Sequence, residues 1–490
     1  METITLPRDR SFTSRAALAS HGTTSHVRRV VSNAGALAVV ESLALALALV
    51  AAGALRQALV GDGQWVIGYG WVVVPMYLVG AALARLLPGW GLGVVEELRR
   101  VTLLLGGAFL LTLAGMWLAN TNVLGEDAAS RLTLVLAFGL AVPLVPLARA
   151  LTKAALIRRD LWGVEVVIYG AGQAGSKIVR QLHEERGLGY IPSAVFDDND
   201  RRWGDYLDTV PIVGSTDNVA PDAAVAFLAI PGVDAQRQAE LLEGPLACYR
   251  TVIVLPDLVD APSLWVRARD FAGILGLEVT STLTRPLPKA LKRAFDLTVV
   301  LLLVPFWVPV VALAMALIWL EDRGSPFYAQ RRVGRDGRTF GALKLRTMVT
   351  DAESVLQAAL DADPALRQEW EITFKLEDDP RITRVGAFLR RASLDELPQL
   401  INVLRGEMSL VGPRPLPAYH HDELPARVRE LRERVRPGIT GLWQVSGRSD
   451  SGNVGMERWD PYYVRNWSLW LDAVILVRTV RVVFKGSGAY

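Results

Sequence analysis

Leu297-Thr-Val-Val-Leu-Leu-Leu-Val-Pro-Phe-Trp-Val-Pro-Val-Val-Ala-Leu-Ala-Met-Ala-Leu-Ile-Trp-Leu320 is 24 residues long and carries no charge. As one straight helix it would extend about 36 Å, enough to cross the hydrocarbon of a bilayer. Its flanks argue against crossing. Lys289, Lys292 and Arg293 precede it, and Arg323, Arg331, Arg332, Arg335, Arg338, Lys344 and Arg346 follow it. Positive residues gather on the cytoplasmic side of a membrane, so both flanks read as cytoplasmic. Pro305 and Pro309 stand in the middle, where a proline removes a helical hydrogen bond and bends the axis. The pattern predicts a segment, residues 292–320, that enters the bilayer, breaks and returns on the same side. An ordinary kinked span is the competing reading.

Upstream, four apolar segments run roughly over 35–55, 64–84, 101–119 and 132–148, each near the roughly 20 residues of a spanning helix. They account for a hydrophobic content of 51% and a mean hydropathy of +0.27. Arg28 and Arg29 precede the first span. Arg85, Arg99 and Arg100 lie between the second and third, and Arg149, Lys153, Arg158 and Arg159 follow the fourth. Both ends of the bundle are therefore expected on the cytoplasmic side. Residues 1–34 are polar and arginine-bearing, unlike a signal peptide. Glu41 lies inside the first span, where a carboxylate marks either a functional site or an interface contact. A net charge of +3 does not point to nucleic acid, and the single cysteine, Cys248, excludes an internal disulfide or a cysteine-built metal site.

Val164-Glu-Val-Val-Ile-Tyr169 reads as a buried strand, followed by Gly170-Ala-Gly-Gln-Ala-Gly175 and a helix-like run to Arg186. Further strand-like pieces at 193–196, 224–230 and 251–255 imply a parallel sheet of Rossmann-like order. The Gly170, Gly172, Gly175 spacing suits a dinucleotide turn, and Asp197 stands where a ribose-binding acid belongs. The same glycines serve equally for tight strand–helix packing, so nucleotide binding stays open. No Tyr-x-x-x-Lys pair occurs in the chain.

The last part is dense in arginine. Four arginines lie between Arg381 and Arg391, and guanidinium forks suit phosphate oxygens. In Ser393-Leu-Asp-Glu-Leu-Pro-Gln-Leu400, Ser393 and Glu396 have capping-box spacing, which predicts a helix start with Asp395 in its first turn. Two adjacent carboxylates among arginines, beside a membrane anchor, suit a metal-assisted phosphoryl site: one binds Mg²⁺ while the other attacks phosphorus. Their alternative role is helix stabilisation. Gly412-Pro-Arg-Pro415 is expected to hold an arginine in a rigid turn. Pro437-Gly-Ile-Thr-Gly441 is expected to expose backbone N–H groups, and Trp443-Gln-Val-Ser-Gly-Arg448 adds an aromatic and a cation. His420 and His421 match no zinc spacing and are expected on the surface. Residues 351–371 read as a charged helix.

These motifs follow Lys292-Arg-Ala-Phe-Asp296, Gln330-Arg-Arg-Val-Gly334, Lys344-Leu-Arg-Thr-Met348 and Asp379-Pro-Arg-Ile-Thr383. They continue through Ser409-Leu-Val-Gly-Pro-Arg-Pro415 to Tyr463-Val-Arg-Asn-Trp-Ser-Leu-Trp-Leu-Asp472. Together they resemble the bacterial sugar transferases, or monotopic phosphoglycosyl transferases, and the layout is similar to the large undecaprenyl-phosphate galactose phosphotransferase branch. The resemblance implies transfer of a hexose-1-phosphate, galactose or glucose, from a UDP-hexose to undecaprenyl phosphate with release of UMP. That would be the initiating step of surface polysaccharide synthesis at the bacterial inner membrane, with catalysis on the cytoplasmic face. By motif position Asp395 is the nucleophile that carries the phosphosugar and Glu396 the Mg²⁺ ligand. Arg346, Arg390, Arg414 and Arg448 are phosphate-binding candidates, with Lys344 and Asp460 as weaker ones. Pro309 matches the membrane break, with Pro305 adding to it, and the family suggests a homodimer.

The expected architecture is a cytoplasmic tail (1–34), a four-helix transmembrane bundle (35–150), a Rossmann-like α/β domain (160–282) and a mixed helical catalytic domain (286–490) with a re-entrant helix hairpin. Two rivals are a membrane-anchored NAD-dependent nucleotide-sugar dehydratase or epimerase, disfavoured by the absent Tyr-x-x-x-Lys pair, and a non-catalytic polymer-assembly scaffold.

Overall fold

A helix that is apolar all round is stable only where neighbouring helices or lipid cover every face. The first helices have this character. The computed structural model describes residues 15–60, 68–118, 131–220, 222–256, 266–271, 274–279, 286–363, 366–368, 376, 379–446 and 452–485. They form two compact units, divided between Val259 and Asp260.

The first unit opens with α1 (Arg15–Val60), α2 (Val73–Leu83), α3 (Val94–Leu118) and α4 (Arg131–Arg158). His26–Val60, Val94–Trp117 and Arg131–Arg158 are long and apolar enough to cross a membrane, and Gly70–Leu83 is a shorter apolar piece. The protein is a membrane protein. Helix α1 runs beyond the expected 35–55 at both ends, and residues 61–67, where the second segment was expected to begin, lie outside the described residues. Leu45, Ala48, Leu49 and Ala52 pack against Tyr77, Ala81, Leu105 and Val145, while Val39, Leu43 and Leu47 face outward.

Glu41 has a structural partner set. The buried Arg149 guanidinium donates to Glu41, to Glu97 Oε1 at 2.5 Å, and to the carbonyls of Leu86 at 2.5 Å and Pro88 at 3.1 Å. Tyr77 donates to Glu41 Oε2 at 3.1 Å, and Lys153 Nζ lies 2.9 Å from both Glu97 oxygens. Two acids and two bases thus neutralise one another, which low-dielectric burial demands. Arg149 and Lys153, read in sequence as flanking cations, are interior partners. Asn33 ties α1 to the linker after α4, donating to Leu161 O at 2.9 Å and accepting from Gly163 N at 3.0 Å.

Beyond that linker come β1 (Val164–Tyr169), α5 (Gln173–Glu184), β2 (Tyr190–Phe196), β3 (Tyr206–Leu207), β4 (Val210–Gly214), β5 (Val225–Leu228), α6 (Ala235–Glu243) and β6 (Thr251–Val254). The sheet order is β3-β4-β2-β1-β5-β6. All neighbours are parallel except β3, which turns antiparallel onto β4 in a hairpin the sequence reading did not anticipate. Alternation along β1 sends Val164, Val166 and Ile168 into one core and Val167 and Tyr169 into the other, so both faces are covered.

In the second unit, β7 (Val266–Phe271) and β8 (Ile274–Val279) form a separate hairpin. Then follow α7 (Pro286–Leu302), α8 (Val304–Asp322), β9 (Phe327–Val333), β10 (Thr339–Leu345), α9 (Ala352–Ala362) and α10 (Arg384–Arg391). After these come α11 (Gln399–Arg405), β11 (Ser409–Val411), α12 (Ala418–Asp422), α13 (Ala426–Glu433), β12 (Gly438–Thr440), α14 (Leu442–Val445), α15 (Gly452–Asn466) and α16 (Leu469–Lys485).

The long apolar segment is broken, but not at Pro309. The interruption falls at Leu303, Pro305 stands in the first turn of α8, and Pro309 is carried inside that helix. Pro305 has no N–H to continue the ladder of α7 and is tolerated in a first turn. The Trp307 indole donates to Val300 O at 3.4 Å across the break. Both ends of the segment are fastened to the same domain. On α7, Lys292 bonds Asp472 Oδ2 at 2.7 Å, Arg293 donates to the carbonyls of Val403 and Leu404, and Asp296 accepts from Ser409 Oγ at 2.7 Å. On α8, Val311, Ala314 and Ile318 pack on Leu345 and Leu389, Glu321 accepts Arg384 N–H at 3.0 Å, and Asp322 pairs with Arg346. Between these anchors Leu301, Leu302, Leu303 and Phe306 are exposed.

The bundle network makes a testable prediction. Arg149→Ala leaves two buried carboxylates facing one another's helices with a single cation, and should cost about 3–5 kcal/mol in detergent denaturation. The double variant Glu41→Leu, Arg149→Met should lose less than Arg149→Ala alone; an equal or larger loss would show that the pair is not the bundle's main polar contact.

Candidate active site

The site is built on the β9–β10 ribbon. Its register places Lys344 opposite Tyr328, Ala342 opposite Gln330 and Phe340 opposite Arg332, and directly paired residues share a face. Asn402 of α11 holds this ribbon from behind: Oδ1 accepts Leu343 N–H at 2.9 Å, and Nδ2 donates to Gly341 O at 2.8 Å. A buried side-chain amide thereby replaces a third strand.

The acid pair enters through a turn that differs from expectation. Ser393 is not a capping-box N-cap. It sits at φ 53°, in the left-handed region, and its side chain makes no cap bond. Asp395 and Glu396 lie in a single 3-10 turn, Leu394–Glu396, and α11 starts only at Gln399 after Pro398. The left-handed residue reverses the chain sharply after α10, at a steric cost of roughly 1–2 kcal/mol for a residue with a Cβ. Ser393 N–H closes α10 on Arg390 O at 3.0 Å.

The two acids have unlike surroundings. Glu396 Oε1 accepts from Lys344 Nζ at 2.8 Å and from Arg414 Nη2 at 3.0 Å. Burial works against its charge, but Arg414 and Lys344 outweigh it and hold the carboxyl down at about 2. Asp395 lies 3.8 Å from Lys344 Nζ, and no other side chain among the described residues donates to it. Burial raises its pKa; Lys344 and Arg390 oppose this, and Glu396 adds to it. One carboxylate is therefore locked as an anion, and the other is poised with its oxygens available.

Arg414 is itself held. Gly412 N–H donates to Thr440 O and Gly438 N–H to Pro413 O, each at 2.9 Å, in the parallel β11–β12 pair. The Gly438 N–H is thus consumed in fastening two loops rather than left to bind an anion. Arg432 donates to Arg414 O at 2.5 Å and pairs with Asp460. Asp460 is 2% exposed, and burial lifts it to about 6 against the pull of Arg432. It supports Arg414 through Arg432 and does not face the acid pair.

The other expected residues fall in several places. Arg390 Nε donates to Thr347 Oγ1 at 2.9 Å, at the edge of the site. Arg346 is turned to Asp322 at the foot of α8. Arg448 lies outside the described residues. Trp443 packs against Leu416, Leu424, Val428 and Met456, and His421 is buried near Glu433 instead of on the surface. Arg332 is a member that motif reasoning passed over. Burial and Arg414 push its pKa down, with Tyr419, Glu396 and Tyr328 acting in the other direction. Its signal in sequence is period-two alternation with Tyr328 and Gln330.

In the first unit, Gly170 needs its φ of 107° for the turn after β1. Asp197 is tied into the glycine turn: Oδ2 accepts Ala171 N–H at 2.7 Å, and Arg202 donates to Ala171 O at 2.6 Å. Gly175 packs against the Gly170 carbonyl, and Gly172 caps α5 with open space beside it.

Among the described residues no three His, Cys, Asp or Glu side chains cluster as a ready-made metal cage. Two adjacent carboxylates, one held ionised, do suit Mg²⁺, which keeps waters and shares phosphate oxygens with a nucleotide.

Asp460→Ala should cost about 3–5 kcal/mol, because Arg432 is left charged and buried. Asp460→Leu combined with Arg432→Met should recover much of that loss in a denaturant titration. No recovery would mean that the pair's bond to the Arg414 loop, and not its buried charge, carries the stability.

Comparison with known proteins adds an independent line. The family profile described as "Bacterial sugar transferase" matches residues 287–486, and one described as "CoA-binding domain" matches residues 93–226. The chain is 36% identical to "UDP-galactose-lipid carrier transferase" of Erwinia amylovora over 380 residues, 76% of this chain and 79% of that protein. It is 35% identical to "Undecaprenyl-phosphate galactose phosphotransferase" of Salmonella typhimurium, covering 74% and 76%. It is 29% identical to "UDP-glucose:undecaprenyl-phosphate glucose-1-phosphate transferase" of Escherichia coli, covering 66% and 68%. With its acid pair, its arginine-lined ribbon and relatives matched over most of their length, the chain belongs to the bacterial sugar transferase family and is a phosphoglycosyl transferase.

Proposed function

We propose that the protein transfers a hexose-1-phosphate, galactose in preference to glucose, from a UDP-hexose to undecaprenyl phosphate, initiating a surface polysaccharide at the cytoplasmic face of the bacterial inner membrane. The observation that carries this reading is the unequal acid pair: Glu396 clamped by two cations, and Asp395 beside it without a hydrogen-bond donor from any described side chain.

The Asp395 carboxylate attacks the phosphorus that bears the sugar. The bond from that phosphorus to the bridging oxygen breaks, UMP departs with the electron pair, and an aspartyl phosphosugar remains. An oxygen of undecaprenyl phosphate then attacks the same phosphorus, Asp395 leaves as carboxylate, and a lipid diphosphate sugar results. Lys344 and Arg414 hold Glu396 and present positive charge to the diphosphate. Mg²⁺, when bound through Glu396 beside Asp395, would supply neutralising charge to the phosphate oxygens.

The same reading makes residues 292–320 a re-entrant anchor, since α7 and α8 are both fastened to one domain and expose an apolar turn between them. The parallel order β4-β2-β1-β5-β6 supports a Rossmann-like domain in which Asp197 and Arg202 steady the glycine turn.

Asp395→Asn should abolish UMP release from UDP-hexose, and wild-type protein without lipid acceptor should accumulate one phosphosugar on Asp395, read by mass spectrometry. Normal UMP release by the variant removes Asp395 from this role. Because its pKa lies above the ordinary 3.8, activity should fall as pH drops through that raised value, while Glu396 stays ionised down to about 2. Lys344→Met, which removes the opposing cation, should move this acid limb to higher pH. For the anchor, Ala290→Cys and Ser325→Cys in a Cys248→Ser background should both be labelled from the cytoplasmic side; labelling of the second from outside makes α8 a true span.

A further inference from the structure

We propose that Arg332, with Gln330, Tyr328 and Tyr419 beside it, forms the subsite for the nucleoside monophosphate half of the donor. This rests on the donor reading above and adds to it where the leaving group sits.

Tyr328, Gln330 and Arg332 alternate along β9, so they line one face, and Lys344 joins that face from β10 through its register with Tyr328. The row therefore runs alongside the carboxylate clamp. Arg332 Nη2 donates to Gln330 Oε1 at 2.5 Å, and among the described residues no carboxylate lies within ion-pair distance of it. Its electrostatic neighbours are Arg414, Tyr419, Glu396 and Tyr328. A half-buried guanidinium beside a second one is relieved by an arriving dianion, and the fork suits a phosphate. Tyr419 is 74% exposed and Tyr328 54% exposed. Uncovered rings next to a phosphate site fit a planar base, which stacks on aromatic faces. Among the described residues no acceptor takes the Gln330 amide N–H groups, which suits donation to a base carbonyl.

The arrangement also separates two phosphates. Arg390 lies beside Asp395 and reaches Thr347, and Arg346 lies further on at Asp322, where α8 ends. Those cations are on the flank that leads to the membrane anchor. Arg332 belongs with Glu396 and Arg414. A lipid phosphate thus has the Arg390 flank, and the nucleotide has the Arg332 flank.

The test uses the full-length protein in detergent, with UMP as probe in calorimetric titration and UDP-hexose and undecaprenyl phosphate in steady-state kinetics. Arg332→Gln and Tyr419→Ala should each weaken UMP binding by about tenfold, the size expected for one charge-assisted bond or one stacked ring. They should raise KM for UDP-hexose more than they lower kcat and leave KM for undecaprenyl phosphate near its wild-type value, and Arg332→Lys should restore part of the loss. Tyr419 is exposed, so its truncation tests the subsite even if Arg332→Gln folds poorly. Wild-type affinity for UMP in both variants overturns the subsite, and so does a rise confined to the lipid-acceptor KM. Failure of the wild-type protein itself to bind UMP overturns the donor reading along with it.

Discussion

One carboxylate oxygen, Glu396 Oε1, receives both Lys344 Nζ and Arg414 Nη2, and the catalytic domain is arranged around this meeting. Lys344 arrives on the β9–β10 ribbon, Arg414 on the loop after β11, and Glu396 on a 3-10 turn before α11. These pieces are remote in sequence, and each is pinned by a separate device. Asn402 stitches α11 to β10, the β11–β12 pair fixes the Arg414 loop, and Ser393 in a left-handed conformation turns the acids inward. A charge-assisted bond that desolvates its partners is favourable only when the geometry is held in advance. The scaffolding around Glu396 supplies that preparation. Its consequence is the contrast with Asp395, which lies 3.8 Å from Lys344 Nζ and takes no hydrogen bond from any described side chain.

The same economy governs charge elsewhere. Arg149 with Glu41, Arg432 with Asp460, and Lys292 with Asp472 are paired in nearly water-free surroundings. Each joins elements far apart in the chain: α1 to α4, α13 to α15, and α7 to α16. A buried pair adds little net stability over an apolar one, yet it penalises misalignment heavily. Among the apolar helices of the first unit, such pairs offer a means of setting register that uniform greasy surfaces lack.

The long apolar segment shows the same logic at larger scale. Hydropathy treats α8 as long enough to cross a bilayer, but its buried side chains Val311, Ala314 and Ile318 rest on Leu345 and Leu389 of the domain that follows. A helix committed along that face to the domain that follows leaves its exposed apolar surface at the turn around Leu301–Phe306 and on the opposite stripe, with Leu313, Leu317 and Leu320.

The sequence by itself determined the apolar helices, the parallel strands at 164–169, 193–196, 224–230 and 251–255, the broken apolar segment and the identity of the acid pair, because periodicity, hydropathy and motif spacing are local and survive without contacts. It also carried Lys344 and Arg414 into the candidate site. What it could not assign was partnership. Glu41 stood between a functional site and an interface contact until Arg149, more than a hundred residues away, met it. Asp197 stood where a ribose-binding acid belongs, and the fold shows it accepting Ala171 N–H. Asp460 and Arg346 were read for phosphate, and the fold shows them paired with Arg432 and Asp322. Ser393 looked like a helix cap because spacing does not reveal φ, and Arg332 went unremarked because only the ribbon's register puts it on the Glu396 face. Tertiary structure decided these roles: a charged side chain acts according to what desolvates and neutralises it, and those groups come from elsewhere in the chain.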